Sequence, residues 1–466
     1  MTATLASSGN RGAPLSAARW SVVLATLAVT GVAVASPAIA LGMLILEITV
    51  VLAFTSIERA FLFVVIVAPW ATLGNVLTDS RLLAVGIDLS VGVIGLATLY
   101  HIVPLRSVAG SRWLANSVAA LFLLGILELV NPRGIGLGGA LEGFRAFYYP
   151  LLGLPIGWYL AGQRDERGAN ALATAVVVSA LIVAFMGVRQ VLLPGDFELQ
   201  IIARSQTGLL PFKVTGTDRL RAFSPLPGPF HFGLLMTIGL VLLGVRILAR
   251  ATPGALIAAC ALALALFLNA TRLNWLGAMT AAAVLVLLAM NRKTAARTLR
   301  GALIGSLVVA AGLWFFWDSS VLAPARTIAQ ELILNPTSNS SFIYRVLGWK
   351  YEVLPAIQRA PLAGWGTGSA KDGVGLFHSH NVVFKVLLEG GVLGLGLYIS
   401  TTLAAIAILW KRRSEPTARA ALALIAAVHA AGMFGPILDT NPANLFYWAL
   451  LGVATRATPT VASPAL

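Results

Sequence analysis

Residues 382–410 read VVFKVLLEGGVLGLGLYISTTLAAIAILW, directly after His378-Ser379-His380-Asn381. A helix needs about 20 consecutive, mostly apolar residues to cross the hydrocarbon core of a bilayer. This stretch is long enough, and it runs straight into Lys411, Arg412 and Arg413. It reads as a membrane span with a polar entrance and a basic exit. Similar runs recur near 20–38, 39–56, 60–78, 82–103, 113–130, 144–162, 168–188, 229–247, 253–270, 274–290, 301–317, 417–436 and 443–456. The first pair turns at Ser36-Pro37 and the last run is short. The expected fold class is an all-α polytopic membrane protein of about 12–14 transmembrane helices.

Composition agrees with that class. Of 466 residues, 58% are hydrophobic and 11% charged, and the mean hydropathy is +0.86. A soluble domain carries roughly 25% charged residues, so that class is excluded. The one cysteine, Cys260, lies in an apolar run, and no intrachain disulfide is possible. The polar first twenty residues, with Arg11 and Arg19, resemble a signal peptide. An uncleaved first helix is expected instead, because the next apolar run follows almost without a gap.

Charge then orients the chain. Arg106 and Arg112, Arg164 and Arg167, Arg246 and Arg250, Arg292 to Arg300, and Lys411 to Arg419 occupy alternate loops. Short loops rich in Lys and Arg stay in the cytoplasm, so all these clusters fall on one side and both termini are expected there. The net charge of +15 is partly this orientation signal, and no nucleic-acid partner is expected. The other side carries two long segments, 189–228 and 318–381. Loops of such length are commonly functional. In the second, Val346, Trp349, Val353 and Leu354 share one face of a helix, which predicts an amphipathic helix lying on the membrane or capping a cavity.

Chemistry is sought where polar groups gather in this apolar chain. His380 is expected in the first turn of the 382–410 helix, at the outer interface. A helix N-terminus disfavours an imidazolium, so a histidine there suits a general base at neutral pH. Position alone equally allows His378 and His380 simply to solvate the helix start. A His-x-His metal site is the weaker reading, because the outer loops hold neither Cys nor an Asp-x-Asp pair. The arginines form a second set: Arg219 and Arg221 before the span at 229, Arg272 in a tight turn, Arg345 in the long loop, and Arg145 near the outer end of a span. Their planar forks suit phosphate oxygens, while each alone is also able to snorkel to lipid phosphates. The turn around Arg272 offers Asn269, Thr271 and Asn274 but no carboxylate. Among acidic residues within spans, Glu47, Asp88 and Glu128 give no sign of meeting. Glu389 lies about 13 Å beyond His380 along one helix, too far to orient the imidazole. It is expected to pair with a buried arginine or to fix the bundle. Asp439 is the better candidate for orienting a base or a sugar hydroxyl.

Taken together, these residues resemble a family. His380-Asn381 followed by Glu389-Gly390-Gly391 and Gly394 is similar to the signature of the O-antigen ligase and O-antigen polymerase superfamily. Arg345 to Trp349 resembles its Arg-x-x-x-Trp segment, and Pro361-Leu362-Ala363-Gly364-Trp365-Gly366 its Pro-Leu-x-Gly-x-Gly turn. Thr271-Arg272 and Arg221-Ala222-Phe223-Ser224-Pro225 resemble its two arginine elements, although Leu226 stands where the family has Asn. The likeness covers roughly 219–394.

The resemblance implies an inverting, metal-independent glycosyltransferase with no cofactor and no bound metal. Its donor is a glycan on undecaprenyl pyrophosphate. Its acceptor is the lipid A core in a ligase, or another lipid-linked repeat unit in a polymerase; the spacing from His380 to Gly391 favours the ligase. His380 would be the base, and Arg219, Arg221, Arg272, Arg345 and Arg145 would hold pyrophosphate. His378, Asn381, Glu389, Asp439, Gly364 and Gly366 would support them, with the glycine turn letting an outer lobe close. The expected setting is the bacterial inner membrane, amid its lipids, with a periplasmic active face. The chain then divides into an N-terminal transmembrane bundle (1–188), a first periplasmic segment (189–228), central transmembrane helices (229–317), a periplasmic lobe (318–381) and C-terminal transmembrane helices (382–466). A transporter would show two similar halves, and none is visible. A non-catalytic scaffold would not need His380.

Overall fold

The structure, a computed structural model, describes residues 37–73, 82–102, 111–162, 167–204, 212–213, 220–290, 340–371 and 375–456. The expected span at 301–317, nearly all of that at 20–38, and Arg219 lie outside the described residues. The N-terminal helices are α1 (Pro37–Thr55), α2 (Ile57–Val67), α3 (Leu82–Ile102), α4 (Arg112–Leu127), α5 (Leu137–Phe147), α6 (Gly153–Leu160) and α7 (Arg167–Leu192). The short α8 (Asp196–Arg204) follows, then α9 (Pro229–Ala249), α10 (Pro253–Asn269) and α11 (Arg272–Ala289). After these come α12 (Ser340–Gly348), α13 (Leu354–Arg359), α14 (Val382–Lys411), α15 (Pro416–Gly432) and α16 (Ala443–Thr455).

Among the described residues, six helices are long and apolar enough to cross a membrane: α3, α4, α7, α9, α11 and α14. Apolar helices α1, α10 and α16 are shorter. The chain is an all-α, multi-pass membrane protein. Helices suit this solvent because every backbone group is paired within its own segment. One continuous core includes Phe61, Leu121, Tyr148, Phe232 and Phe446. Phe54, Tyr100, Phe185 and Ile257 point outward, so the helices are apolar on both faces. Ile201, Ile202, Phe212 and Phe223, between α7 and α9, form a small core of their own.

Two expectations fail locally. The span at 144–162 is not one helix: α5 ends at Phe147, a 3-10 turn covers Tyr149–Leu152, and α6 begins at Gly153. Pro150 lacks an N–H, and its ring clashes with the carbonyl four residues earlier. The expected face of the outer lobe also shifts. Trp349–Val353 is a π-helical turn, which takes an extra residue and breaks the 3.6-residue register. Val353 and Ala356 are therefore buried while Val346 and Leu354 are exposed.

Helix order fixes which ends meet. Arg112 opens α4, Arg167 opens α7, Arg246 closes α9 and Lys411 closes α14. Arg246 reaches Thr174 near the start of α7 (2.9 Å), and Arg412 caps carbonyls at Ala454 and Arg456 (3.1 and 2.6 Å). These basic residues share one end of the bundle. His380, Arg272 and the loop before α9 lie at the other.

Candidate functional site

The entrance to α14 is built by Asn381. Its extended backbone makes it the N-cap, and its Oδ1 accepts from the amides of Val383 (2.8 Å) and Phe384 (3.2 Å). Asparagine suits this position because its side chain satisfies amides with no intrahelical partner. Its Nδ2 donates to the Met433 carbonyl (3.0 Å), tying α14 to the end of α15. His380 therefore stands one residue outside the helix, not in its first turn as expected. Its φ of 43° lies in the left-handed region, which costs a non-glycine residue about 1–3 kcal/mol unless its surroundings impose it. The Asn381 cap on one side and Ser379 on the other impose it here: the Ser379 carbonyl accepts from Trp349 Nε1 (2.5 Å).

That arrangement opens a cleft of about 220 Å³ between the histidine segment and the outer lobe. Tyr344, Arg345, Leu347, Gly348, Tyr351, Glu352, His378 and His380 line it. The lobe has a small apolar core of its own: Val353, Ala356, Ala370 and Leu388 are buried, with Trp349 and Phe384 against them.

Of the five expected arginines, Arg272 and Arg345 both lie within electrostatic reach of Arg221. Arg272 and Arg345, after burial, hold the Arg221 guanidinium down at about 10. Like charges disfavour the protonated form of each neighbour. Arg221 is carried by a strap of buried amides. Gln190, near the end of α7, donates to the Arg221 carbonyl (3.1 Å) and accepts from the amides of Phe223 and Ser224 (both 3.0 Å). Asn269 donates to the carbonyls of Ala222 (2.7 Å) and Pro229 (2.9 Å), and Asn274 donates to Asn269 Oδ1 (2.9 Å). The strap ties Arg221 to the turn before Arg272, the first residue of α11. The guanidinium Nε of Arg221 donates to Lys213 (2.9 Å), and Arg345 Nη1 donates to the Phe434 carbonyl (2.7 Å). Arg145, expected beside them, forms an ion pair with Asp88. Asp88 on α3 supplies the opposite charge.

Below the entrance lies a buried ionic cluster. Lys385 Nζ is 2.6 Å from Glu389 Oε1 and 3.3 Å from Asp439 Oδ2, and Lys385 and Glu389 are almost wholly buried. Glu389 thus pairs with a lysine one turn earlier, not with an arginine. Asp439, expected near a base, also faces this lysine. The sequence reading overlooked Lys385, although an i, i+4 Lys–Glu pair in an apolar run was the available signal.

The glycine turn is wedged into α14. Gly391 interrupts α14 with φ 61°. In an intact helix the amides of residues 392 and 393 would bond the carbonyls of 388 and 389. Here Leu388 O accepts from Trp365 (2.6 Å) and Glu389 O from Gly366 (3.1 Å), while Val392 donates to Pro361 O (2.8 Å) and Leu393 to Leu362 O (3.3 Å). Four bonds to the turn replace two within the helix. Gly364 and Gly366 have positive φ, and a Cβ on Gly364 would strike the Leu388 carbonyl. The Gly368 amide completes the wedge at Glu389 Oε1 (3.2 Å).

No curated protein matches the chain. Residues 256–399 match the family model described as O-Antigen ligase. The matched segment contains Arg272, Arg345, the glycine turn, His380 and the Lys385–Glu389 pair; Arg221 and Asp439 lie outside it. Over that segment, about a third of the chain, the protein is similar to the O-antigen ligase family.

Proposed function

We propose that this protein is a glycosyltransferase that moves a glycan from undecaprenyl pyrophosphate to a hydroxyl of the lipid A core, as an O-antigen ligase. The observation that carries this reading is the seam at Arg345. It lines the cleft beside His380 and also acts on the charge of Arg221. A base and a phosphate-binding cluster are thus neighbours, as transfer from a lipid pyrophosphate requires. His380 takes the proton of the acceptor hydroxyl. The oxygen attacks the anomeric carbon from the face opposite the phosphate, and the carbon–oxygen bond to phosphate breaks with inversion. The bonding electrons leave on the pyrophosphate, where Arg221, Arg272 and Arg345 balance the charge that a metal would otherwise balance. Asn381 positions His380; Lys385 and the wedge hold the helix beneath it. The basic residues at the far end of the bundle favour the cytoplasm, which turns the cleft towards the periplasm.

The test is transfer by the purified full-length protein in lipid nanodiscs with EDTA present. Undecaprenyl-pyrophosphate glycan is the donor, and either lipid A core or a second lipid-linked repeat is the acceptor. Product on lipid A core is expected. Product on the repeat alone would make the protein a polymerase, and product on neither would overturn the reading.

A further inference from the structure

The cleft holds more than a base requires. Tyr344 and Tyr351 stand on its outer wall, 64% and 65% exposed, opposite His378 and His380. Two aromatic rings lining one cleft offer it apolar faces beside polar edges. Beside them Glu352 contributes a carboxylate and Arg345 a guanidinium. Trp349 is pinned to the histidine segment through Ser379 (2.5 Å) and packs edge-on against Phe384 of α14 (5.4 Å). The two walls are thus held at a fixed separation, and the cleft is preformed.

A sugar ring has one chemistry on its faces and another on its rim. Its C–H faces pack on aromatic rings, while its hydroxyls seek carboxylate and imidazole partners. Binding sites of this kind combine aromatic walls with a few convergent polar groups. At about 220 Å³, the cleft is smaller than the roughly 300–1,000 Å³ of sites for drug-sized ligands. It has room for one ring, not for an oligosaccharide.

We infer that this cleft is the acceptor subsite, taking the terminal pyranose ring of the acceptor glycan between Tyr344 and Tyr351, with its hydroxyl at His380 and a neighbouring hydroxyl on Glu352. The inference rests on the glycosyltransferase reading and adds to it where the acceptor lies. Donor phosphate then occupies the arginine side, and the two substrates meet at Arg345.

The experiment has a binding arm and a kinetic arm. In the first, saturation-transfer NMR measures binding of lipid-free core oligosaccharide to the full-length protein without donor. In the second, transfer is measured against acceptor concentration at saturating donor. Tyr351→Ala and Tyr344→Ala are expected to weaken oligosaccharide binding and raise the acceptor KM by about tenfold each. Donor affinity should stay within about twofold of wild type, Tyr→Phe should restore binding, and the unfolding midpoint should not move. Unchanged oligosaccharide binding in both alanine variants would overturn the subsite, even if the wild type is an active transferase. If the wild type binds the oligosaccharide through these tyrosines yet transfers nothing, the subsite stands and the transferase reading falls. A defect present in nanodiscs but absent in detergent would instead make the tyrosines an interfacial anchor and overturn the proposal.

Discussion

Helix α14 carries two polar regions little more than one turn apart, and they are built on opposite terms. At its mouth, His380 has a left-handed backbone, lines an open cleft, and faces exposed tyrosines. One turn down, Lys385, Glu389 and Asp439 are packed away from solvent, and the wedge at Gly364–Gly368 closes the helix break beside them. The upper region exposes its polar groups; the lower one spends its polar groups on each other. A reactive imidazole needs a fixed origin, and a buried cluster that ties α14, the glycine turn and the loop after α15 together supplies one. On the proposed function, the upper region carries the chemistry and the lower one positions it.

Substitutions can separate the two. The largest effect expected is that of His380→Ala. It should lower transfer by roughly 10²–10⁴-fold, the usual worth of general acid–base help. Donor binding and the unfolding midpoint should not change, because His380 lies outside the helix. A variant that retained more than about a tenth of wild-type turnover would remove His380 from the base role. Lys385→Met should act in the reverse sense. Breaking a buried ion pair by deleting one partner costs about 3–5 kcal/mol, here leaving two carboxylates to face each other. Thermal unfolding in nanodiscs should show the loss, with Lys385→Met/Glu389→Gln recovering part of it. Equal midpoints for wild type and the single variant would mean the cluster contributes nothing. Next in size is Gly391→Ala. Its φ of 61° is strained for any side chain, and the new Cβ would run into the Leu362 carbonyl. A loss of about 1–3 kcal/mol is expected, with the wedge 361–366 gaining hydrogen exchange before the mouth does.

The same contrast explains what the sequence made legible. Long apolar runs ending in arginine or lysine identify spans almost regardless of context, so α3, α4, α7, α9, α10, α11 and α14 fall where expected. The break at 144–162 does not announce itself, because prolines are tolerated in membrane helices when neighbours re-satisfy the backbone. The π turn at Trp349–Val353 has no composition of its own; of the expected face it keeps Val353 buried, leaves Val346 and Leu354 exposed, and brings in Ala356. In the upper region, histidine and arginine stand out as residue types, and Asn381 before an apolar run reads as a cap. Supporting residues are quieter. Gln190 and Asn269 act on carbonyls more than thirty residues away in sequence, and Arg145 finds Asp88 in another helix. Such pairings depend on which helices are neighbours, and hydropathy does not say so when helices are apolar all round.

The arginine cluster joins the upper region through Arg345, and its charge gives the finest test. Burial, and then Arg272 and Arg345, bring Arg221 down to about 10 from an ordinary arginine value of 12.5. A base whose pKa is lowered by folding holds its proton at a cost, which is full below about pH 10 and fades as pH rises from there towards 12.5. A pyrophosphate reverses the sign, since it favours the protonated guanidinium and raises its pKa on binding. Donor affinity should therefore be flat from pH 7 to about 9 and fall as pH rises through 10, with proton uptake on binding in that window. Arg221→Gln should lower affinity about ten- to hundredfold at pH 7.5, the range for a charge-assisted hydrogen bond, and remove the alkaline step. Binding of undecaprenyl-pyrophosphate glycan between pH 7 and 10.5 measures both. If wild type and Arg221→Gln fell in parallel, another group would own the step, and Arg221 would hold its strap in place without touching the donor.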